Sequence, residues 1–237
     1  PFEAVKEKAL QMNLNTGFPF GKAMAKNGLS FICEVKKASP SKGIISEEFD
    51  YLNIAKDYEK AGASAISVLT EPYYFKGSDK FLSEIKNEVT IPVLRKDFTV
   101  DEYQIYEAKT IGADCILLIC ALLDTDTLKK YLNTAHSLGL DAIAETHNKK
   151  EMESAIAAGA DIIGINNRNL KTFNVDLNTT KDLASLVPKD KILISESGIK
   201  TKEDIRFVKE NGAKAVLIGE TFMRSKDKKA MFEELNS

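Results

Sequence analysis

The sequence predicts an α/β protein, a (β/α)8 barrel over residues 31–237 preceded by an N-terminal helical extension over residues 1–30. Three observations predict it. Eight short runs rich in Ile, Val and Leu recur without strict polar alternation, the pattern of strands buried on both faces of a parallel sheet. Charged stretches with helical spacing lie between them and stop at glycine, which fills a helix C-terminus at low steric cost. The glycines closing four of these stretches, Gly62, Gly112, Gly159 and Gly212, are 50, 47 and 53 residues apart. Each interval holds two strands, so one strand–helix unit takes about 25 residues and eight units fill the chain from residue 31. An open doubly wound sheet is the competing architecture, but no GxGxxG follows the first strand, as a dinucleotide site would need.

Taken in order, "FEAVKEKALQM" has helical spacing, and "NTGFPFGKAMAKNG" reads as loop with a short helical piece. This extension could plug the bottom of the barrel or form a flap over its top, and the sequence leaves both open. The predicted strands are "FICEV" (31–35), "AISVL" (65–69), "IPVL" (91–94), "CILLI" (115–119), "DAIAE" (141–145), "DIIGI" (161–165), "KILIS" (191–195) and "AVLIG" (215–219). Among the intervening helices, "YLNIAKDYEKAGA", "DEYQIYEAKTIGA", "EMESAIAAGA" and "EDIRFVKENGA" end in the four periodic glycines. Asp101 and Asn148 stand where N-terminal caps belong.

Composition narrows the function. Thirty-three basic residues nearly balance 35 acidic ones, and no basic stripe of the kind nucleic acid requires is visible. No apolar run approaches the ~20 residues that span a bilayer, so no membrane association is expected. The three cysteines, Cys33, Cys115 and Cys120, each lie in an apolar run. Their odd number, with no signal peptide ahead of them, points to a reducing cytoplasmic setting. With no CxxC and only His136 and His147, neither a metal nor a cofactor is expected.

Active sites of such barrels sit at the carboxyl ends of the strands, and six of the eight predicted ends are polar. The first carries Glu34 and Lys36, two residues apart and so on one face. The third carries Arg95, Lys96 and Asp97; the fifth, Glu145; the sixth, Asn166, Asn167 and Arg168; the seventh, Ser195, Glu196 and Ser197; and the eighth runs into "IGETFMR". Burying several charges is costly unless they pair or serve a ligand. A buried ion-pair network is therefore the alternative to an active site. The Gly-containing turns "SGI" (197–199) and "GETF" (219–222) follow strands seven and eight, where barrels commonly cradle phosphate. Glu220 fits there with its backbone N–H inward and its carboxylate outward. The residues thus describe an enzyme acting on a small phosphorylated molecule, with lysines and carboxylates as acid and base and with the substrate supplying its own electron sink.

The motifs "EVKKASPSKG" (34–43), "LTEPYYFKGS" (69–78), "PVLRKDF" (92–98), Glu145 in "AETH", "GINNRNLKTF" (164–173), "SESGI" (195–199) and "IGETFMR" (218–224) closely resemble the indole-3-glycerol phosphate synthase family. That resemblance implies ring closure, decarboxylation and dehydration of 1-(2-carboxyphenylamino)-1-deoxyribulose 5-phosphate in tryptophan biosynthesis. It implies Lys96 as general acid at the ketone oxygen, and Glu34 and Glu145 as proton acceptors that also hold the lysines. Lys36 would contact the anionic ends of the substrate, and Asn166 and Arg168 its hydroxyl and carboxylate groups. Ser39 and Pro40 would line the carboxylate and aromatic pocket, within a loop (39–43) that closes over the substrate. Phe75 and Phe98 would face the aromatic ring. Glu196 and Ser197 would complete the site, and Gly198, Gly219 and Glu220 would hold the phosphate. The chain is expected to act as a monomer or weak homodimer. Its lead before the first strand is shorter than the family usually carries, so the first turns of the leading helix are expected to be missing. Thr146 stands where an apolar residue is more usual, and His147 is expected at the rim. A different phosphate-binding barrel, such as phosphoribosylanthranilate isomerase with its Cys/Asp pair, and a non-catalytic barrel scaffold are the competing readings.

Overall fold

The computed structural model describes residues 1–237. Strands β1 (Ser30–Val35), β4 (Ala65–Leu69), β5 (Val93–Lys96), β6 (Cys115–Ile119), β7 (Asp141–Thr146), β8 (Ile162–Asn166), β9 (Ile192–Glu196) and β10 (Ala215–Ile218) close a barrel. Every neighbouring pair is parallel, with β1 between β10 and β4. All eight predicted strands are present. β5 starts later than its apolar run because Pro92 has no N–H to donate to the ladder; its carbonyl still accepts from Ile66 N.

Alternate residues of each strand point inward. Ile32, Ala65, Leu94, Leu117, Ile143, Ile162, Ile194 and Leu217 fill the barrel. Their sequence neighbours, such as Phe31, Cys33, Ile66, Leu118, Ala144 and Val216, join a second core beneath the surrounding helices. The helices stop and start as the punctuation predicts. Gly62 and Gly159 end α3 (Tyr51–Ala61) and α7 (Lys149–Ala158) with φ of 111° and 86°. Asp101 caps α5 (Glu102–Thr110), and Asn148 caps α7.

Two helices precede β1. α1 (Phe2–Leu10) lies against α5, where Phe2 meets Tyr106 edge-on at 5.7 Å between ring centroids. α2 (Pro19–Met24) sits under the barrel and buries Phe20 and Met24 among the bottom layer of inward side chains. Asp141, the first residue of β7, accepts from Gly21 N at 2.9 Å, and Ser30 Oγ donates to Ala23 O at 2.9 Å. Between the two possibilities left open for the extension, α2 is the plug. At the opposite end the residues after β1 form more than a loop. β2 (Ala38–Ser39) and β3 (Gly43–Ile44) pair as an antiparallel hairpin with Pro40 exposed at its turn.

Candidate active site

The inward alternation that fills the barrel with Ile and Leu continues one layer higher with charge. Glu34 follows Ile32, Lys96 follows Leu94, Glu145 follows Ile143 and Glu196 follows Ile194, so four strands deliver ionisable side chains to one mouth. Lys36, two residues beyond Glu34, pairs with it at 2.7 Å (Nζ to Oε2). Lys96 Nζ is the hub, 3.9 Å from Glu34 Oε1, 3.8 Å from Glu145 Oε2 and 3.7 Å from Glu196 Oε2. The three carboxylates are buried, while both lysines remain about one-sixth accessible, the only partly open charges of the cluster. Asn166 at the end of β8 is buried beside them, and its Oδ1 accepts from Arg168 N at 3.0 Å.

Two glycines make room for these carboxylates. A Cβ at Gly164 would overlap Glu196 Oε1, and one at Gly219 would overlap Glu34 Oε2 and crowd Lys36 Nζ. Gly164 is thus inward-facing empty space reserved for the side chain of Glu196, two residues beyond its register partner Ile194 on β9.

The electrostatics divide the carboxyls. Burial pushes Glu34 up, but the charges of Lys36 and Lys96 outweigh it and the carboxyl is held below its ordinary value. Burial likewise works against Glu145, and contact with His147, the Lys96 charge and a hydrogen bond from Asn166 hold it low. Glu196 goes the other way, raised by burial and by the neighbouring Glu145. Neither of its oxygens has a hydrogen-bond partner. Burial disfavours the Lys96 ammonium, yet the charges of Glu145, Glu196 and Glu34 overcome this and raise its pKa. The cluster therefore balances with Glu196 neutral: Glu34 and Glu145 offset Lys36 and Lys96.

The remaining expected residues fall into three groups. Phe75 and Phe98 meet at the rim, 6.3 Å between centroids, outside the packed core. Phe75 is held there by Glu71, a buried residue whose carboxylate accepts from the backbone N–H of Tyr73, Tyr74 and Phe75. Ser197 and Gly198 take left-handed conformations after β9, at φ of 67° and 86°. Gly219 leads into α10 (Glu220–Arg224) after β10. No protein acceptor takes the N–H of Gly198 or Gly219. Thr221 Oγ1 ties the two turns together by donating to Ile199 O at 2.8 Å. Glu220 pairs with Arg224 at 2.9 Å, which turns its carboxylate away along its own helix. Arg168, by contrast, is not brought to the cluster: its guanidinium donates to Phe173 O within its own loop. Ser39 is buried where the hairpin turns, paired with Gly43, and neither it nor Pro40 is hydrogen-bonded to the cluster.

His147 is not a rim residue. Its side chain is about nine-tenths buried, with Nε2 3.3 Å from Glu145 Oε1 and Nδ1 2.9 Å from Glu151 Oε2. The sequence signal for this was the His-x-x-x-Glu spacing at the entry to α7, which sets the two on adjacent turns. Arg95, adjacent to Lys96, points to the outer side of β5 and binds Asp79 and Glu107 at 2.9 and 2.8 Å, a structural pairing. Cys33 also lies on the outer side, its thiol pushed up by burial.

Known proteins place this arrangement. The family model described as indole-3-glycerol phosphate synthase matches residues 2–235. A protein of that description from Ruminiclostridium cellulolyticum is 58% identical over 234 residues, covering 99% of this chain and 90% of that protein. One from Endomicrobium trichonymphae is 57% identical over 224 residues, covering 94% and 87%. Among solved structures, a 3-hexulose-6-phosphate synthase superposes with a TM-score of 0.69 over 88% of this chain and 98% of its own, at 16% identity, a likeness of fold alone. The match along almost the whole length, with identities above half, shows that this chain belongs to the indole-3-glycerol phosphate synthase family.

Proposed function

We propose that the mouth of this barrel is a carboxy-lyase site that turns 1-(2-carboxyphenylamino)-1-deoxyribulose 5-phosphate into indole-3-glycerol phosphate, CO2 and water. The observation that carries the reading is Lys96 Nζ set within 4 Å of carboxylates from three other strands. The substrate carries a ketone, a carboxylate and a phosphate, and each finds a complementary group. As the aromatic carbon bearing the carboxylate attacks the ketone carbon, Lys96 protonates the oxygen on which negative charge develops. The carboxylates around Lys96 keep it charged, and a nascent alkoxide, far more basic than any of them, takes its proton. Ring closure leaves the nitrogen as an iminium. The electron pair of the C–COO⁻ bond flows toward that nitrogen as CO2 leaves, so the substrate itself is the electron sink. The new hydroxyl then departs as water with a proton from Lys36, since Lys96 has already given its own, and Glu34 or Glu145 accepts the carbon-bound proton whose loss completes the indole.

In this reading Asn166 and Glu196 hold substrate hydroxyls, and Phe75 and Phe98 flank the aromatic ring. The free N–H groups of Gly198 and Gly219, with Ser197 and Glu220 beside them, receive the phosphate. Arg168, Ser39 and Pro40 reach the substrate only when the 168–175 loop and the hairpin move inward. The chain works without metal or cofactor, as a monomer or weak homodimer in the cytoplasm, on a small phosphorylated substrate and apart from membrane and nucleic acid. Phosphoribosylanthranilate isomerase chemistry is disfavoured because Cys33 faces the helices. A scaffold role is disfavoured by a balanced, buried charge cluster that packing alone does not need.

The test is direct. Incubated with the ribulose phosphate substrate, the protein is expected to produce indole fluorescence, and absence of turnover overturns the reading. Lys96→Ala is expected to fold and to lose at least ~10²-fold in kcat, as removal of a general acid does; near-normal turnover in that variant removes Lys96 from the role.

A further inference from the structure

The geometry points to His147 as a positioning residue: held as an imidazolium by Glu151, it orients Glu145 and keeps that carboxylate ionised, so that the proton of the cluster resides on Glu196. The inference rests on the assignment of Glu145 to the site.

Both ring nitrogens of His147 face carboxylates, Nδ1 toward Glu151 at 2.9 Å and Nε2 toward Glu145 at 3.3 Å. A neutral imidazole carries one N–H and would turn a lone pair toward one of them. Nε2 is buried and makes no hydrogen bond, so its approach to Glu145 is one of charge, and only the doubly protonated ring turns a positive edge to both carboxylates. Glu151 is itself fixed. Its Oε2 also accepts from His147 N at 2.8 Å, and its Oε1 accepts from Asn148 Nδ2 at 2.6 Å. The Asn148 side chain in turn caps Glu151 N at 3.1 Å. The first turn of α7 is thereby folded back to clamp the ring from behind.

The groups facing this chain come from several elements. Glu145 sees Lys96 of β5, Asn166 of β8 and Glu196 of β9; the ring sees Glu151 of α7, and the Cys120 thiol at the end of β6 lies near both carboxylates. Lys96 stands between Glu34, Glu145 and Glu196 and serves all three. It does not by itself decide which of Glu145 and Glu196 ionises. Asn166, a neutral amide, also favours Glu145, but the one charged group that touches Glu145 and not Glu196 is His147. Burial opposes the imidazolium, yet hydrogen bonding and charge from Glu145 and Glu151 raise the His147 pKa to about 9, consistent with this geometry.

His147→Gln keeps a polar side chain and removes the charge. Its kcat at pH 6.5 is expected to fall about tenfold with KM within about threefold of the parent, and the acid limb of its kcat profile to move up by about one to two pH units, the effect of one opposite charge at this range. His147→Lys, which restores a cation, is expected to return the limb toward its parent position. An unmoved acid limb in His147→Gln overturns the proposal, as does a loss that His147→Lys shares in full. Should these variants fail to fold, the parent protein answers by NMR of the imidazole: His147 is expected to titrate near 9, and titration of His147 near 6.5 overturns the inference. Glu145→Gln separates the two levels. Retained turnover there removes Glu145 from the site, whereas lost turnover beside an unmoved His147→Gln profile overturns the His147 role alone.

Discussion

A carboxyl group buried without a hydrogen-bond partner costs stability, and Glu196 is such a group, with both oxygens unpaired and a second carboxylate nearby. Its folded-state pKa is raised, so between the unfolded value and the folded one the native chain binds a proton that the unfolded chain does not. Stability therefore falls as pH rises through that window. Glu196→Gln removes the titration and keeps the shape. At pH 8 this variant is expected to melt roughly 2–4 °C above the parent, the shift that about 1 kcal/mol gives a chain of this length, while losing turnover. A melting temperature below the parent's would show that the carboxylate is stabilised by the fold. Much of this residue scale was legible in the sequence. The alternation of strand side chains is enough to put Glu34 and Lys36, and then Lys96, Glu145 and Glu196, at one mouth. What was not legible is local pairing of polar side chains: that Glu151 claims His147, that Glu71 folds the 73–75 turn, and that Arg168 bonds its own loop. Each depends on which rotamer wins among several partners, and spacing carries that only weakly.

At the scale of elements, stability and chemistry occupy opposite ends of the strands. α2 seals the bottom through Phe20 and Met24, both fully buried, and its sequence could have served either end. An amphipathic six-residue helix records that it buries a face, not where. The decision came from Asp141 at the foot of β7, which accepts from Gly21 N, a contact 120 residues apart in sequence. The hairpin β2–β3 escaped prediction for the opposite reason: its strands are two residues each, too short for any periodic signal. Because the plug lies a whole strand length from the charges, Phe20→Ala is expected to lower stability by about 3–5 kcal/mol, as for a buried aromatic truncated to Ala. Its kcat and KM, measured well below its melting temperature, are expected to match the parent. A selective loss of kcat without a loss of stability would instead tie α2 to the mouth.

For the whole molecule, the charge cluster makes stability fall on both sides of an optimum, adding an alkaline loss to ordinary acid denaturation. Glu34, Glu145 and Glu151 have lowered values, so their contribution is complete above about pH 4.5 and is lost only as pH falls through their folded values. His147 is raised from 6.5 to about 9, so its contribution is complete below about pH 6.5 and is lost as pH rises through about 9. Glu196 adds to the same alkaline slope. The melting temperature of the parent is therefore expected to be highest between about pH 5 and 6.5 and to decline toward pH 9, although the net charge of −2 changes little the self-repulsion of the chain. After discounting for solvent screening of the partly accessible imidazole, His147 accounts for about 1–2 kcal/mol of that decline. Differential scanning calorimetry from pH 5 to 9 reads it directly. In His147→Gln and in Glu196→Gln the slope is expected to flatten, each by its own share, and the acid side below pH 4.5 to remain. A parent that gains stability from pH 6.5 to 9 would mean that the native state does not hold these two protons, and that the cluster at the mouth balances its charge in another way.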